Sequence, residues 1–277
     1  MVILWFYDKL NSIMTENPER MPVLFLGHGN PMNAIEENQF VKGFRDIAVT
    51  LPKPNTILCI SAHWYTNGTK VTAMEFPKTI HDFMGFPVEL YKVQYPAKGN
   101  PMLANQTKEL LIPENVELDE NWGLDHGAWS VIKHLYPDAD IPVIQLSIDY
   151  NKPASYHFEL ASKLVSLRNK GVLIIGSGNI IHNLGLVDFK NFDEDNYGYD
   201  WAIEAKETIN NYLTDGNYKP LIDYLKQPQA IQLAIPTPDH YLPLIYTLGL
   251  QQKGEKISFF NDKLLAGSLS MTSLKIA

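Results

Sequence analysis

The chain has 277 residues, 45% of them hydrophobic and 19% charged, enough to bury a sizeable core in one large α/β domain or two small ones. A net charge of −8, from 23 basic against 31 acidic side chains with no basic patch, argues against nucleic acid as a main partner, because phosphate neutralisation needs clustered lysine and arginine. The single cysteine, Cys59, excludes an internal disulfide and a cysteine-rich zinc site, and within TILCIS it reads as a buried hydrophobe in a reducing cytoplasm.

From the start of the chain, MVILWFY lacks the basic flank and small-residue cleavage site of a signal peptide, and no segment approaches the ~20 apolar residues that span a bilayer. Residues 1–20 read as an N-terminal extension to one domain covering 21–277. VLFLG from Val23, TILCISA from Thr56, IPVIQLSID from Ile141 and VLIIGSG from Val172 are nearly continuous apolar runs. Such runs are expected of strands buried on both faces of a parallel sheet. VTAME after TNGTK suggests an added strand, and KISFFND and GSLSMTSLKI read as late ones.

Between the strands lie helical patterns. The first, NAIEENQFVKGFRDIAVTL, has Asn33 as its expected N-cap. NPMLANQTKELLI, AWSVIKHLYP and PASYHFELASKLVSLRNKG follow, the last closed by Gly171. YDWAIEAKETINNYLTDG, YKPLIDYLKQ and DHYLPLIYTLGL complete the set, with Pro243 expected in the first turn of the final helix. The alternation predicts an α/β fold: a central, mostly parallel β-sheet flanked by helices on both faces. The aromatic, proline-punctuated FPKTIHDFMGFPVELYKVQYPAKG reads as a loop covering a pocket.

The histidines carry the functional signal. His28 follows VLFLG, His63 follows TILCISA and His182 follows VLIIGSG after a short bend, so all three emerge at the carboxyl ends of sheet strands, where open α/β sheets bind ligands. His240, between the prolines of PTPDHYLPL, can be aimed at the same end, and His126 lies in GLDHGAWS. Neutral imidazole is a common metal ligand and the usual acid or base near neutral pH, so the pattern predicts a metal site with acid/base groups beside it. His81 is a candidate pocket residue, while His134 and His157 fall in helical patterns and read as surface or packing residues. No HExxH, Walker loop, GxGxxG or GxSxG is present, so Ser61 and Ser177 read as backbone-bonding neighbours of the site or substrate contacts rather than nucleophiles.

Together, LFLGHGNPMNAIEEN, ISAHWYTNGTKVTAME, TIHDFMGFPVELYKVQYPA, WGLDHGAWSVIKHLYPDADIPVIQLSID, GSGNIIHNL and IPTPDHYLPLIYTLG resemble the LigB superfamily of class III extradiol dioxygenases, and within it the 4,5-DOPA extradiol dioxygenase group. The resemblance implies insertion of both atoms of O2 into a catechol ring by a monomer or small homo-oligomer. It implies one divalent metal, Fe(II) for ring cleavage with Zn(II) also found in this group. Matched by motif, His28, His63 and His240 are the implied metal ligands. His182 and His126 are the implied acid/base groups, with His182 a candidate fourth ligand. Ser61, Trp64, Asp125 and Tyr241 are the expected substrate contacts, Phe83 a further slot residue, and Asp125 and Asp239 the expected partners of imidazole nitrogens. Protocatechuate-type relatives use a carboxylate where this chain offers His240 with Asp239 beside it, which leaves iron and zinc both open. A zinc hydrolase and a non-enzymatic metal-binding interaction protein are the alternative readings of the same histidines.

Overall fold

The computed structural model describes residues 20–192 and 194–277, so the expected N-terminal extension lies, apart from Arg20, outside the described residues. The four apolar runs form β1 (Val23–Gly27), β2 (Thr56–Ser61), β6 (Val143–Gln145) and β8 (Val172–Gly178). They lie parallel in one six-stranded sheet of order β6-β2-β8-β1-β12-β9. β12 (Ser273–Ile276) and β9 (Ile257–Phe260) extend it antiparallel at one edge. Short pairs stand outside this sheet: β3 (Tyr65–Thr66) with β7 (Ile148–Asp149), β4 (Thr69–Thr72) with β5 (Val116–Asp119), and β10 (Leu264–Leu265) with β11 (Leu269–Ser270).

Period-two alternation sends successive side chains to opposite faces, and both faces are covered, which is why the strands read as continuous apolar runs. Val23, Phe25, Leu58, Ile60 and Ile174 enter one core with α4 (Ala154–Ser162), α5 (Asp200–Thr214) and α6 (Leu242–Gly249). Leu24, Leu26, Ile57, Cys59 and Ile175 enter the other, against α1 (Gln39–Ala48) and α3 (His126–Leu135). Burial pushes the Cys59 thiol pKa well up, as befits a packing residue. The remaining helix of this size, α2 (Pro101–Leu110), is capped by Asn100, whose side chain accepts the Leu103 amide.

Several expected boundaries move for local reasons. Asn33 does not cap the first helix: its side chain donates to the His28 carbonyl and accepts from Asn38, and Asn38 caps α1 through the Phe40 and Val41 amides. IPVIQLSID splits into β6 and β7, because Ile148 turns away to bond the Trp64 carbonyl. The helix expected over PASYHFELASKLVSLRNKG breaks after Ser162 and resumes at Val165, with Gly171 at φ +78 ending the segment as expected. VTAME contributes only its first residues to a strand, which pairs with β5 outside the main sheet. Pro243 does fall in the first turn of α6.

One buried charge ties the ends of the domain together. The Arg168 guanidinium, fully enclosed, donates to the carbonyls of Met21 and Leu250 and forks onto Glu255 at 2.9 and 2.5 Å. Glu255→Gln should therefore destabilise the domain by about 3–5 kcal/mol, because it leaves a buried guanidinium uncompensated. Burial alone would raise the Glu255 pKa, but the Arg168 contacts outweigh it and hold the carboxyl below its ordinary 4.5. That stability is present above the unfolded value and lost as pH falls through the depressed folded one. Denaturant unfolding should show the parent–variant gap at pH 7 shrinking below about pH 4; a constant gap would remove the ion pair as its cause.

Candidate metal centre

The sheet register sets the site. Gly27 pairs with Gly178 and Ser61 with Ser177, so the three central strands end level with one another. The ladder runs one step further, with the His28 amide donating to the Gly178 carbonyl and the Ala62 amide to the Ser177 carbonyl. His28 and His63 are thereby delivered side by side. β8 continues into Asn179, whose amide bonds the His240 carbonyl at 2.9 Å and draws the start of α6 to the same point. Gly178 permits this approach: a Cβ there would sit 2.1 Å from the His240 carbonyl oxygen. Gly127 does the same for α3, where a Cβ would meet the Ser61 Oγ at 2.5 Å and the His63 ring at 2.7 Å.

Five imidazoles converge there. His28 Nε2 and His63 Nε2 are 3.2 Å apart. The ring centres of His28, His63 and His240 form a near-equilateral triangle with sides of 5.0, 5.2 and 5.0 Å. His126 packs against His63 with ring centres 3.8 Å apart, and His182 stacks on His240 at 3.6 Å. Among the described residues, the set whose ligand nitrogens all lie within 4.8 Å of one another is His28, His63 and His126.

Each Nδ1 partner fixes how its ring can act. Ser177 Oγ donates to the Gly127 carbonyl, so it accepts at 3.0 Å from His28 Nδ1–H, leaving the His28 Nε2 lone pair facing His63. His240 Nδ1 is hydrogen-bonded to Asp239 Oδ2, and its Nε2 is left free in the same way. Asp82 Oδ2 lies 2.9 Å from His126 Nδ1, off the line of a hydrogen bond, and 3.5 Å from His63 Nδ1.

The donor set fits a divalent cation. Imidazole nitrogens about 2.0–2.1 Å from one tetrahedral ion lie about 3.3 Å apart, and their ring centres about 5 Å apart. The His28–His63 edge matches the first spacing, and the triangle of ring centres with His240 matches the second. The contacts at 3.8 and 3.6 Å are those of rings packed on one another. Burial, reinforced by the neighbouring histidines, holds the pKa of His28 and of His63 well below the ordinary imidazole value, so both are neutral and able to ligate. Burial first, and then His240, pushes His182 down to about 3.

A cavity of about 330 Å³ opens over the cluster. His28, His63, His126, His182 and His240 share its floor with Asn179, and its walls are Phe83, Phe86, Leu184, Val187, Phe189 and Phe192. Phe83 thus stands where the sequence expects it, and the proline-punctuated loop does cover the pocket. The other expected contacts lie behind the floor. Ser61 Oγ donates to Asp125 at 2.6 Å, and Asp125 also accepts from Gln145 and Trp122 and caps α3 through the Ala128 amide. Burial raises the pKa of this carboxyl, with Asp82 adding to the effect. Trp64 stacks on Trp122, and the Tyr241 hydroxyl donates to the Leu221 carbonyl. All four line no part of the cavity.

His81 Nε2–H donates to the Val93 carbonyl, His134 Nε2–H donates to the Asn33 carbonyl, and His157 is enclosed against Tyr246, so these three are packing residues. Sequence reasoning missed Asp82, sitting next to the histidine it weighed in IHDF, and the apolar wall from Leu184 to Phe192. The mixed polarity of NLGLVDFKNF hides that wall, because only every second or third side chain lines the cavity.

The fold and site define an α/β protein with a histidine cluster able to hold a metal ion beneath an aromatic cavity. Residues 22–265 match the family of the catalytic LigB subunit of aromatic ring-opening dioxygenase, and the chain belongs to that family. It is 48% identical over 261 residues to a 4,5-DOPA dioxygenase extradiol of Escherichia coli, covering 93% of this chain and 95% of that one. A protein of the same description from Beta vulgaris is 35% identical over 259 residues, covering 91% and 94%. A crystal structure of an uncharacterized protein from E. coli K12 superposes with a TM-score of 0.80 at 44% identity, covering 93% of this chain and all of that one. No described helix is long and apolar enough to cross a membrane.

Gly178→Ala isolates the contribution of the backbone to the centre. The added methyl must displace the His240 segment, at a cost of about 1–3 kcal/mol for overpacking. Metal content of the purified variant should fall well below that of the parent while the protein remains folded; equal metal content would show that the His240 segment can shift without disturbing the centre.

Proposed function

We propose that this chain is a cytoplasmic, metal-dependent extradiol dioxygenase that opens the ring of L-DOPA or a related substituted catechol with O2, holding Fe(II) on His28, His63 and His240. The observation that carries the reading is the equilateral spacing of those three rings at the floor of an apolar, aromatic-walled cavity. A pocket of this kind suits a planar ring. The named activity of the relatives supports the same conclusion. Sets of three histidines also suit zinc, so iron is assigned by the chemistry proposed rather than by the ligands.

Bound there, the cation supplies the acidity that a catechol hydroxyl lacks in water and, as Fe(II), the redox capacity for O2. The protein supplies orientation and proton handling. Phe83 and Phe86 with Val187, Phe189 and Phe192 give the cavity the apolar lining that a planar ring would pack against. His182 lies beside His240 without a side-chain hydrogen bond among the described residues, and its low pKa keeps it neutral. So weak a base accepts a proton only from an acidified hydroxyl, and it releases that proton readily to the opened product. His126, on the opposite side against His63 and Phe83, holds the second hydroxyl or returns its proton.

Oxygen uptake by anaerobically Fe(II)-loaded protein, given L-DOPA and a panel of catechols beside the zinc form, tests the activity. Uptake confined to the iron form, with a yellow ring-opened product, is expected; a filled iron site that consumes no oxygen with any catechol would sink the proposal. His182→Ala should keep its metal and lose about 10²–10⁴-fold in kcat. His240→Ala should lose the metal whereas His126→Ala keeps it. The reverse pair of results would move the third ligand to His126.

A further inference from the structure

Among the described residues Asp82 is the one carboxylate within 4 Å of two histidines of the centre, and the aromatic loop brings it there. Its Oδ1 accepts the His126 backbone amide at 2.9 Å, one of the amides left without a helical partner at the start of α3. Its Oδ2 lies against the Nδ1 atoms of both His126 and His63, at 2.9 and 3.5 Å. Among the described residues no lysine or arginine pairs with it, so these two imidazoles are the basic side chains that face the carboxylate. The loop that carries it is fixed on both sides. The Ile80 amide bonds the Leu124 carbonyl, Trp129 Nε1 bonds the Ile80 carbonyl at 2.8 Å, and His81 Nε2 meets the Val93 carbonyl at 2.9 Å. The next residue, Phe83, is a cavity wall whose ring meets that of His126 edge-on, with centres 5.5 Å apart.

We propose that Asp82 is a positioning residue: with a single carboxylate it orients His63 toward the metal and His126 toward the substrate, and so couples the aromatic wall at Phe83 to the metal centre. The assignment of separate tasks to His63 and His126 rests on the function proposed above; the orientation of both rings by Asp82 does not. Both oxygens are needed. One accepts the α3 amide and the other faces the two ring nitrogens, each of which can then present Nε2 to the site. An asparagine has one accepting oxygen, and its NH2 group, placed toward the rings, would oppose an Nδ1–H rather than accept from it. Partners of this kind set imidazole tautomer and direction, and losing one typically costs 10–100-fold in metal affinity.

The test uses the full chain loaded with metal. Asp82→Asn should keep its thermal unfolding midpoint within a few degrees of the parent, since the α3 amide keeps an acceptor. A competing chelator should withdraw its metal about 10–100-fold more readily. In the iron form kcat should fall about 10–100-fold, with KM for the catechol within about threefold of the parent. Asp82→Glu, which retains the charge and both accepting oxygens, should recover more of the metal retention than Asp82→Asn. Metal retention in Asp82→Asn within about twofold of the parent overturns the proposal, whatever happens to turnover. If the parent itself opens no catechol, the proposed function fails, and the chelator comparison still decides the role of Asp82.

Discussion

Everything at this centre follows from crowding five imidazoles at the end of one sheet. Rings whose centres lie 3.6–5.9 Å apart cannot all carry a proton in a buried site without large mutual repulsion. Burial already disfavours the charged form, and each additional neighbour pushes His28 and His63 further down. His28 and His63 are therefore neutral donors. Without a cation their facing lone pairs would be an electrostatic cost; a bound cation would turn that cost into ligation. The constraint explains why two Nδ1 atoms are hydrogen-bonded, His28 to Ser177 and His240 to Asp239, and why the Asp82 carboxylate lies against the Nδ1 of His126.

The scaffold meets that constraint with backbone rather than with side chains. The level ends of β1, β2 and β8 bring two histidines together by register alone, and a strand slipped by one residue would turn its histidine to the wrong face. Where helices must approach those ends, the chain uses glycine. Gly178 lets α6 carry in His240, and Gly127 lets α3 begin against His63. Asp125, enclosed under the floor with Ser61, Gln145 and Trp122, then holds the start of α3 from below while Asp82 holds it from above.

Much of this is legible in the sequence, because buried parallel strands write themselves as VLFLG, TILCIS and VLIIGSG and because ligands in such folds gather where those runs end. The convergence of His28, His63 and His182 could be argued from those runs alone. What the pattern could not separate was a residue beside the site from a residue beneath it. Ser61, Trp64, Asp125 and Tyr241 neighbour the histidines in sequence, yet period-two alternation and the start of a helix turn their side chains into the packing behind the floor. Asp82 was hidden for the opposite reason. It sits 44 residues from the amide it caps, on an irregular loop with no periodicity to reveal its direction.

The proposed three-histidine ligand set raises a question of charge that the surrounding carboxylates answer. Three neutral imidazoles leave a bound divalent ion with its full +2, whereas a carboxylate among the ligands would cancel one unit directly. Here negative charge is displaced outward by one side chain: Asp239 sits behind His240, and Asp82 behind His63 and His126. Burial would raise the carboxyl pKa of each, but contact with its histidines outweighs that, so both stay ionised. The arrangement compensates the ion through the rings, makes the imidazoles better donors, and uses none of the coordination positions that a bidentate catechol and O2 would need. A carboxylate ligand would bind the metal more tightly at the expense of one such position. Charge held behind the ligands keeps the cavity side of the centre open and apolar, which a ring-opening reaction on a planar aromatic substrate requires.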